Sequence, residues 1–359
     1  MFRAVTISKG HDNFFTPLRI IMALMVVFGH AFVVYYGASD FEPKVFLHYT
    51  PSYLAVNAFF IASGFLVTGS MLYRGDLREF GAARVLRIYP ALFVHVVIVA
   101  FVLGAIMTTL PLADYFMDPQ VLAQPAFVLS FYDTDMILPG VFTSNAEQLS
   151  SATLWTLRYE LLAYMATAIM FATGLMHKKW MIAAPFVLSV IGWIAAHRLG
   201  IFDAFPATVQ SILRFSVAYG LGAALYAYQD FIRLYWPMVL VFGLMTWLLK
   251  STPEVEILMN VTIGAAVFTL AYMKVPKLDK LKGATDTSYG IYIYHWAVLQ
   301  TIKAILPDIG LWTLMITATL ITLLIAYASW IWIEKPALAL KPRFSAWLSR
   351  RPPEAAPAK

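Results

Sequence analysis

Residues 19–30 read RIIMALMVVFGH, opening with Arg19 and closing with His30. Between them lie nine apolar residues and one glycine, with no Pro, Asn or Asp to break a turn. Eleven steps at about 100° each bring the cation and the imidazole back to one helical face, within about 20°. At about 1.5 Å per residue they stand about 16 Å apart along the axis, about half the hydrocarbon thickness of a bilayer. The stretch therefore predicts a membrane helix that holds a cation near one surface and an imidazole well inside, in line with each other.

The whole chain agrees with that reading. Its 359 residues are 60% hydrophobic and 13% charged, with a mean hydropathy of +0.72. A soluble domain is near half apolar and about a quarter charged, so the expected fold class is all-α, a polytopic integral membrane helix bundle. Ten apolar stretches are long enough to span, at 17–36, 52–72, 88–110, 153–174, 180–196, 211–228, 234–249, 256–273, 287–306 and 310–333. One membrane domain is expected over 1–340, and a cytoplasmic, disordered tail over 341–359, ending RRPPEAAPAK. The first apolar run has no Ala-x-Ala site after it and reads as a retained helix rather than a signal peptide.

Charge sets the orientation. Connections after even-numbered stretches are basic: Arg74, Arg78, Arg84 and Arg87, then Lys178 and Lys179, Arg233, and Lys274 to Lys282. The longest connection, 111–152, has no Lys or Arg but carries Asp114, Asp118, Asp133, Asp135 and Glu147. Both termini are thus expected in the cytoplasm and the long acidic loop outside. The net charge of +6 fits cytoplasmic anchoring rather than nucleic acid.

Ionisable groups at membrane depth mark function by default. Glu160 lies about 10 Å below the outer surface by residue count, and His30 at a similar depth. A carboxylate at that depth predicts a base with its orienting partner, against the plainer reading of two polar groups satisfied separately. Arg84 and Arg87, spaced i, i+3 just ahead of the third stretch, present two guanidinium forks suited to phosphates, although anchoring arginines are ordinary there. In SYGIYIYHW, Ser288, Tyr292 and His295 fall on one helical face. Asn57 and Ser63 fit helix–helix packing or a supporting polar role. Trp155 and Tyr159 fit an interfacial belt or a sugar-stacking surface. The absence of cysteine excludes disulfides, a thiolate metal site and a cysteine acyl-enzyme. No GxxxxGK[ST] loop or close His/Asp/Glu ligand cluster occurs, so neither an ATP-driven pump nor a catalytic metal is expected.

Five motifs in order carry a resemblance: Arg19-x10-His30, FFIASGFL (59–66), RVLRIYP (84–90), LWTLRYE (154–160) and SYGIYIYH (288–295). The chain resembles the bacterial integral-membrane acyltransferase family 3 over about 12–337. That resemblance implies O-acylation, mostly O-acetylation, of extracytoplasmic glycans. It implies a catalytic His30, with Arg19, Arg84 and Arg87 handling the cytoplasmic acyl donor, and Glu160 as the glutamate of the fourth-helix motif. Asn57, where many members carry Asp, and LWTLRYE, where many have LWSLSVE, are departures.

The expected partners are acetyl-CoA or another acyl-CoA as donor substrate, a glycan or lipid-linked glycan acceptor (exopolysaccharide, O-antigen or capsule), the bilayer and glycan-assembly machinery. No permanently bound cofactor and no nucleic acid are expected. The expected location is the bacterial cytoplasmic membrane. On this reading His30 activates an acceptor hydroxyl, or carries the acyl group itself. Asn57, Ser63 and Tyr292 are candidate oxyanion donors and His295 a candidate supporting residue. A proton-coupled secondary transporter or exporter is the rival reading, since it too uses intramembrane His and Glu.

Overall fold

The apolar stretches fold as helices because, in hydrocarbon, a backbone must satisfy its own hydrogen bonds. The computed structural model of the chain describes residues 5–7 and 13–349. The helices are α1 (Phe15–Tyr36), α2 (Pro51–Arg74), α3 (Leu77–Met107), α4 (Leu112–Met117), α5 (Pro119–Leu129) and α6 (Trp155–Ala172). They continue with α7 (Lys179–Arg198), α8 (Ala207–Ala227), α9 (Trp236–Leu248), α10 (Glu254–Tyr272), α11 (Ser288–Ile305), α12 (Leu311–Ala339) and α13 (Lys341–Ser349). A helix forms at each of the ten expected stretches. Among the described residues, six are long and apolar enough to cross a membrane: α1, α2, α3, α7, α10 and α12. This is the architecture of a multi-pass membrane protein. Helices α6, α8 and α11 carry more polar side chains, and α9 is shorter.

Two boundaries differ from expectation. Helix α3 starts at Leu77 and not near residue 88, because Asp76 caps it, its carboxylate accepting from the amides of Arg78 at 2.7 Å and Glu79 at 3.1 Å. Arg84 and Arg87 therefore sit two turns inside a helix rather than ahead of one. The tail expected to be disordered from 341 begins as α13, which packs against α3; residues 350–359 lie outside the described residues.

The chain divides into two compact units. The first holds Met1–Gly29, Glu42–Leu72 and Tyr159–Ser288. Here α2 and α8 cross at backbone distance: a Cβ on Gly64 would overlap the carbonyl oxygen of Tyr219, and one on Gly222 that of Ile61. Small residues at such crossings let helices pack without a water-driven hydrophobic force. An aromatic core of Phe15, Phe65, Phe268 and Tyr272 fills one end, with Phe15 edge-on to Phe268 at 5.5 Å. A two-residue antiparallel pair, β1 (Val5–Thr6) with β2 (Arg233–Leu234), sets Val5 opposite Leu234.

The second unit holds His30–Phe41, Tyr73–Arg158 and Tyr289–Lys359. Helix α3 relaxes into a π-turn at Ile98–Leu103. The Tyr115 hydroxyl of α4 donates to the Ala100 carbonyl there at 2.6 Å, meeting a demand that such bulges create. The connection 130–154 is clamped onto α11. Trp296 Nε1 donates to the Leu149 carbonyl at 2.7 Å, Gln300 Nε2 to those of Glu147 and Leu149, and Asn145 Nδ2 to Gln300 Oε1 at 2.7 Å. These bonds fix α11 as the platform for the imidazoles described next.

Candidate active site

His30 and His295 meet in the second unit. His30 Nδ1 lies 2.9 Å from His295 Nε2, and the rings stack with centroids 5.1 Å apart and planes 21° from parallel. Trp296 closes the other side, edge-on to His30 at 5.1 Å. The bonds assign the protons. His295 Nδ1 lies 2.9 Å from the Ile291 carbonyl, which can only accept, so that nitrogen carries the hydrogen. The lone pair of a neutral His295 is then on Nε2, facing His30. His30 must donate from Nδ1, which leaves its own lone pair on Nε2. His295 is wholly buried while His30 is partly exposed, so the free lone pair belongs to the less buried of the two imidazoles.

The partner expected for His30 from matched depth was Glu160. The hydrogen bonding gives His30 the imidazole of His295; Glu160, in the first unit, accepts from the hydroxyl of Tyr164 one turn along its own helix. Around the imidazoles, the Tyr292 hydroxyl bonds to Thr156 Oγ1 and donates to the Thr153 carbonyl at 3.1 Å, with its ring 6.3 Å from His295. His95 on α3, passed over in the sequence, is buried with Nε2 2.9 Å from Ser151 Oγ and its ring edge-on to Tyr294. An imidazole inside an apolar run was the signal, the same one that singled out His30.

Arg19 and Ser288 meet at a residue the sequence did not single out. Asp286 Oδ2 pairs with Arg19 Nη1 at 3.1 Å, and its Oδ1 accepts from Ser288 Oγ at 2.6 Å at the start of α11. Ser288 is thus occupied at the helix start, while Tyr292 and His295 lie together further along. Ser63 is half-buried beside Gly64 and makes no hydrogen bond among the described residues. Asn57 bridges two charges: its Oδ1 accepts from Arg214 Nε and Nη2 at 3.1 and 2.8 Å, and its Nδ2 donates to Glu256 Oε1 at 3.0 Å. Neither charged partner was singled out, although both fall at or inside apolar stretches.

At the other end of α3, Arg87 Nη1 pairs with the buried Glu334 Oε2 at 3.2 Å, between the rings of Tyr289 and Trp330. Ser329 and Tyr294 extend that bond inward. Arg84 stacks over Phe80. Burial, and then the charges of Arg74, Arg84 and Arg87, push the Lys341 ammonium below its ordinary pKa. Four cations therefore gather where α13 meets α3, an arrangement that favours a polyanion.

A family model described as "Acyltransferase domain" matches residues 13–334. The chain is 28% identical to "Nodulation protein 10" of Rhizobium leguminosarum bv. viciae, over 93% of this chain and 95% of that protein. It is 26% identical to an "O-acetyl transferase" of Shigella phage Sf6, over 90% of this chain and 95% of the relative. No solved structure matches.

Proposed function

The chain belongs to this acyltransferase family, and on that premise we propose that it moves an acyl group, in the first instance acetyl, from cytoplasmic acyl-CoA to a hydroxyl of an extracytoplasmic glycan. The observation that carries the reading is the His30–His295–Ile291 chain, which leaves an unprotonated Nε2 on a partly exposed imidazole inside a membrane helix. The name of the phage relative, an O-acetyl transferase, supports oxygen as the acceptor atom.

The donor's phosphates meet Arg84, Arg87, Arg74 and Lys341, whose guanidinium forks and ammonium suit phosphate oxygens. His30 Nε2 takes the proton of the acceptor hydroxyl. The oxygen attacks the thioester carbonyl carbon, the carbon–sulfur bond breaks, and the leaving thiolate takes that proton back from His30. His295 holds the tautomer and shares the charge of the imidazolium. Glu160 is kept as the glutamate of the fourth-helix motif, a candidate catalytic carboxylate, and Arg19 as a donor-side cation. The Lys/Arg asymmetry supports ten crossings, with both termini in the cytoplasm and the protein in the bacterial cytoplasmic membrane.

Purified protein in vesicles, given acetyl-labelled acetyl-CoA and a surface-glycan extract, tests the reading. Transfer of label to glycan is expected, with His30→Ala lowering it about 10²–10⁴-fold. Full transfer by His30→Ala would remove the site assignment, and solute movement without acyl-CoA consumption would favour a transporter.

A further inference from the structure

The first unit contains a second feature that the transfer chemistry leaves unused. A cavity of about 310 Å³ runs between α2, α6, α7 and α8, walled by Phe60, Tyr159, Ala166, Pro185, Phe215 and Tyr219. Along α8 its lining extends from Ile212 to Ala223, about 16 Å at the helical rise, so it is a long narrow slot. Its wall is apolar, and two of its hydroxyls, Thr167 and Tyr219, bond to each other at 2.7 Å. It opens sideways: Leu162 and Ile212 at its lip are 41% and 42% exposed. In a membrane helix such an opening faces hydrocarbon.

A cation stands beside this slot. Arg214 falls between the lining residues Ile212 and Phe215, and its guanidinium lies 4.8 Å from the Phe215 ring and 3.5 Å from that of Tyr53. Among the described residues no carboxylate lies within ion-pair distance of it. Its charge is answered only at second hand, through Asn57. Glu256 beyond is already occupied by neutral donors, with Asn57 and Asn260 on one oxygen and Tyr49 and Tyr53 on the other. Arg214 uses Nε and Nη2 on Asn57 and keeps Nη1 to spare. A half-buried cation with donors in hand, next to a long apolar slot, suits an anionic head on a single chain.

We propose that the slot and Arg214 bind the lipid anchor of the acceptor, a single-chain lipid phosphate that carries the glycan, with its chain in the slot and its phosphate on the guanidinium. The inference rests on the acyl-transfer reading and narrows it, because the acceptor is then glycan on a membrane lipid and not free polymer.

Tritiated farnesyl monophosphate, equilibrated with the purified full chain in phosphatidylcholine nanodiscs, tests this. Saturable binding is expected, weakened about tenfold or more by Arg214→Gln and likewise by Ala166→Phe, which fills the slot from an exposed position. Arg214→Lys should keep part of the affinity, and neutral farnesol should bind more weakly. Equal binding by the wild type and both weakening variants would overturn the proposal. So would displacement by excess phosphatidylglycerol, which would make the slot a site for bilayer lipid. Acyl-CoA consumption is followed in the same nanodiscs. Consumption without farnesyl phosphate binding defeats this inference alone, whereas no consumption with any acceptor defeats the acyl-transfer reading.

Discussion

At the scale of the residue, the proposed chemistry turns on which nitrogen of His30 holds the lone pair. The Ile291 carbonyl decides it from two bonds away, because a carbonyl cannot donate and so orders the protons of both rings. On the proposed reading His295 is a positioning residue. His295→Ala should lower kcat about tenfold to a hundredfold with little change in the donor's KM, and should alter the pH profile of kcat, since the tautomer of His30 is no longer held. A purely structural role would instead lower the amount of folded protein and leave that profile unchanged.

Lys341 gives a second prediction at this scale. Its pKa is lowered by burial and three arginines, and a bound polyanion reverses the repulsion and raises it. Binding therefore takes up a proton once the free ammonium has begun to deprotonate. Donor affinity should fall as pH rises through the lowered Lys341 pKa, below the pH at which an ordinary lysine titrates. Lys341→Arg should flatten that dependence, and Lys341→Met should weaken binding below that pKa and converge on the wild type above it, as measured by CoA titration.

His30 was legible in the sequence because an ionisable group in an apolar run is conspicuous. The same rule pointed to His95, Arg214 and Glu256. Their importance went unread because a single chain gives each group's depth but not its neighbours. His30 and His295 are separated by 265 positions, and no spacing rule connects them.

At the scale of the element, local signals were stronger than the hydropathy that first set the boundaries. Asp76 with Glu79 three residues later is a helix-start pattern, and it places the start of α3 where a count of apolar residues did not. Asp76→Ala should cost about 1 kcal/mol and fray the turn before Arg84, seen as faster amide exchange over residues 77–80. The α2–α8 crossing is less forgiving. A side chain at Gly64 or Gly222 meets the partner's backbone, not a rotatable group. Gly64→Leu should therefore abolish recovery of folded protein from membranes, while Gly81→Leu, with open space around it, should be tolerated. The fold class was readable from composition because a bilayer permits few alternatives. The close crossing was not, since glycines in membrane helices serve many purposes.

At the scale of the whole molecule, the proposed reaction links a cationic end of α3 and α13 to an imidazole within the membrane, and requires donor and acceptor to approach from opposite faces. Sealed proteoliposomes test this most directly: acetyl-labelled acetyl-CoA is supplied on the face that bears the C-terminus, and glycan acceptor is confined to the other. Label should appear on the confined glycan, require the protein, and disappear with His30→Ala. Label that reaches glycan only when donor and acceptor share one face, or that persists in His30→Ala, would contradict the account.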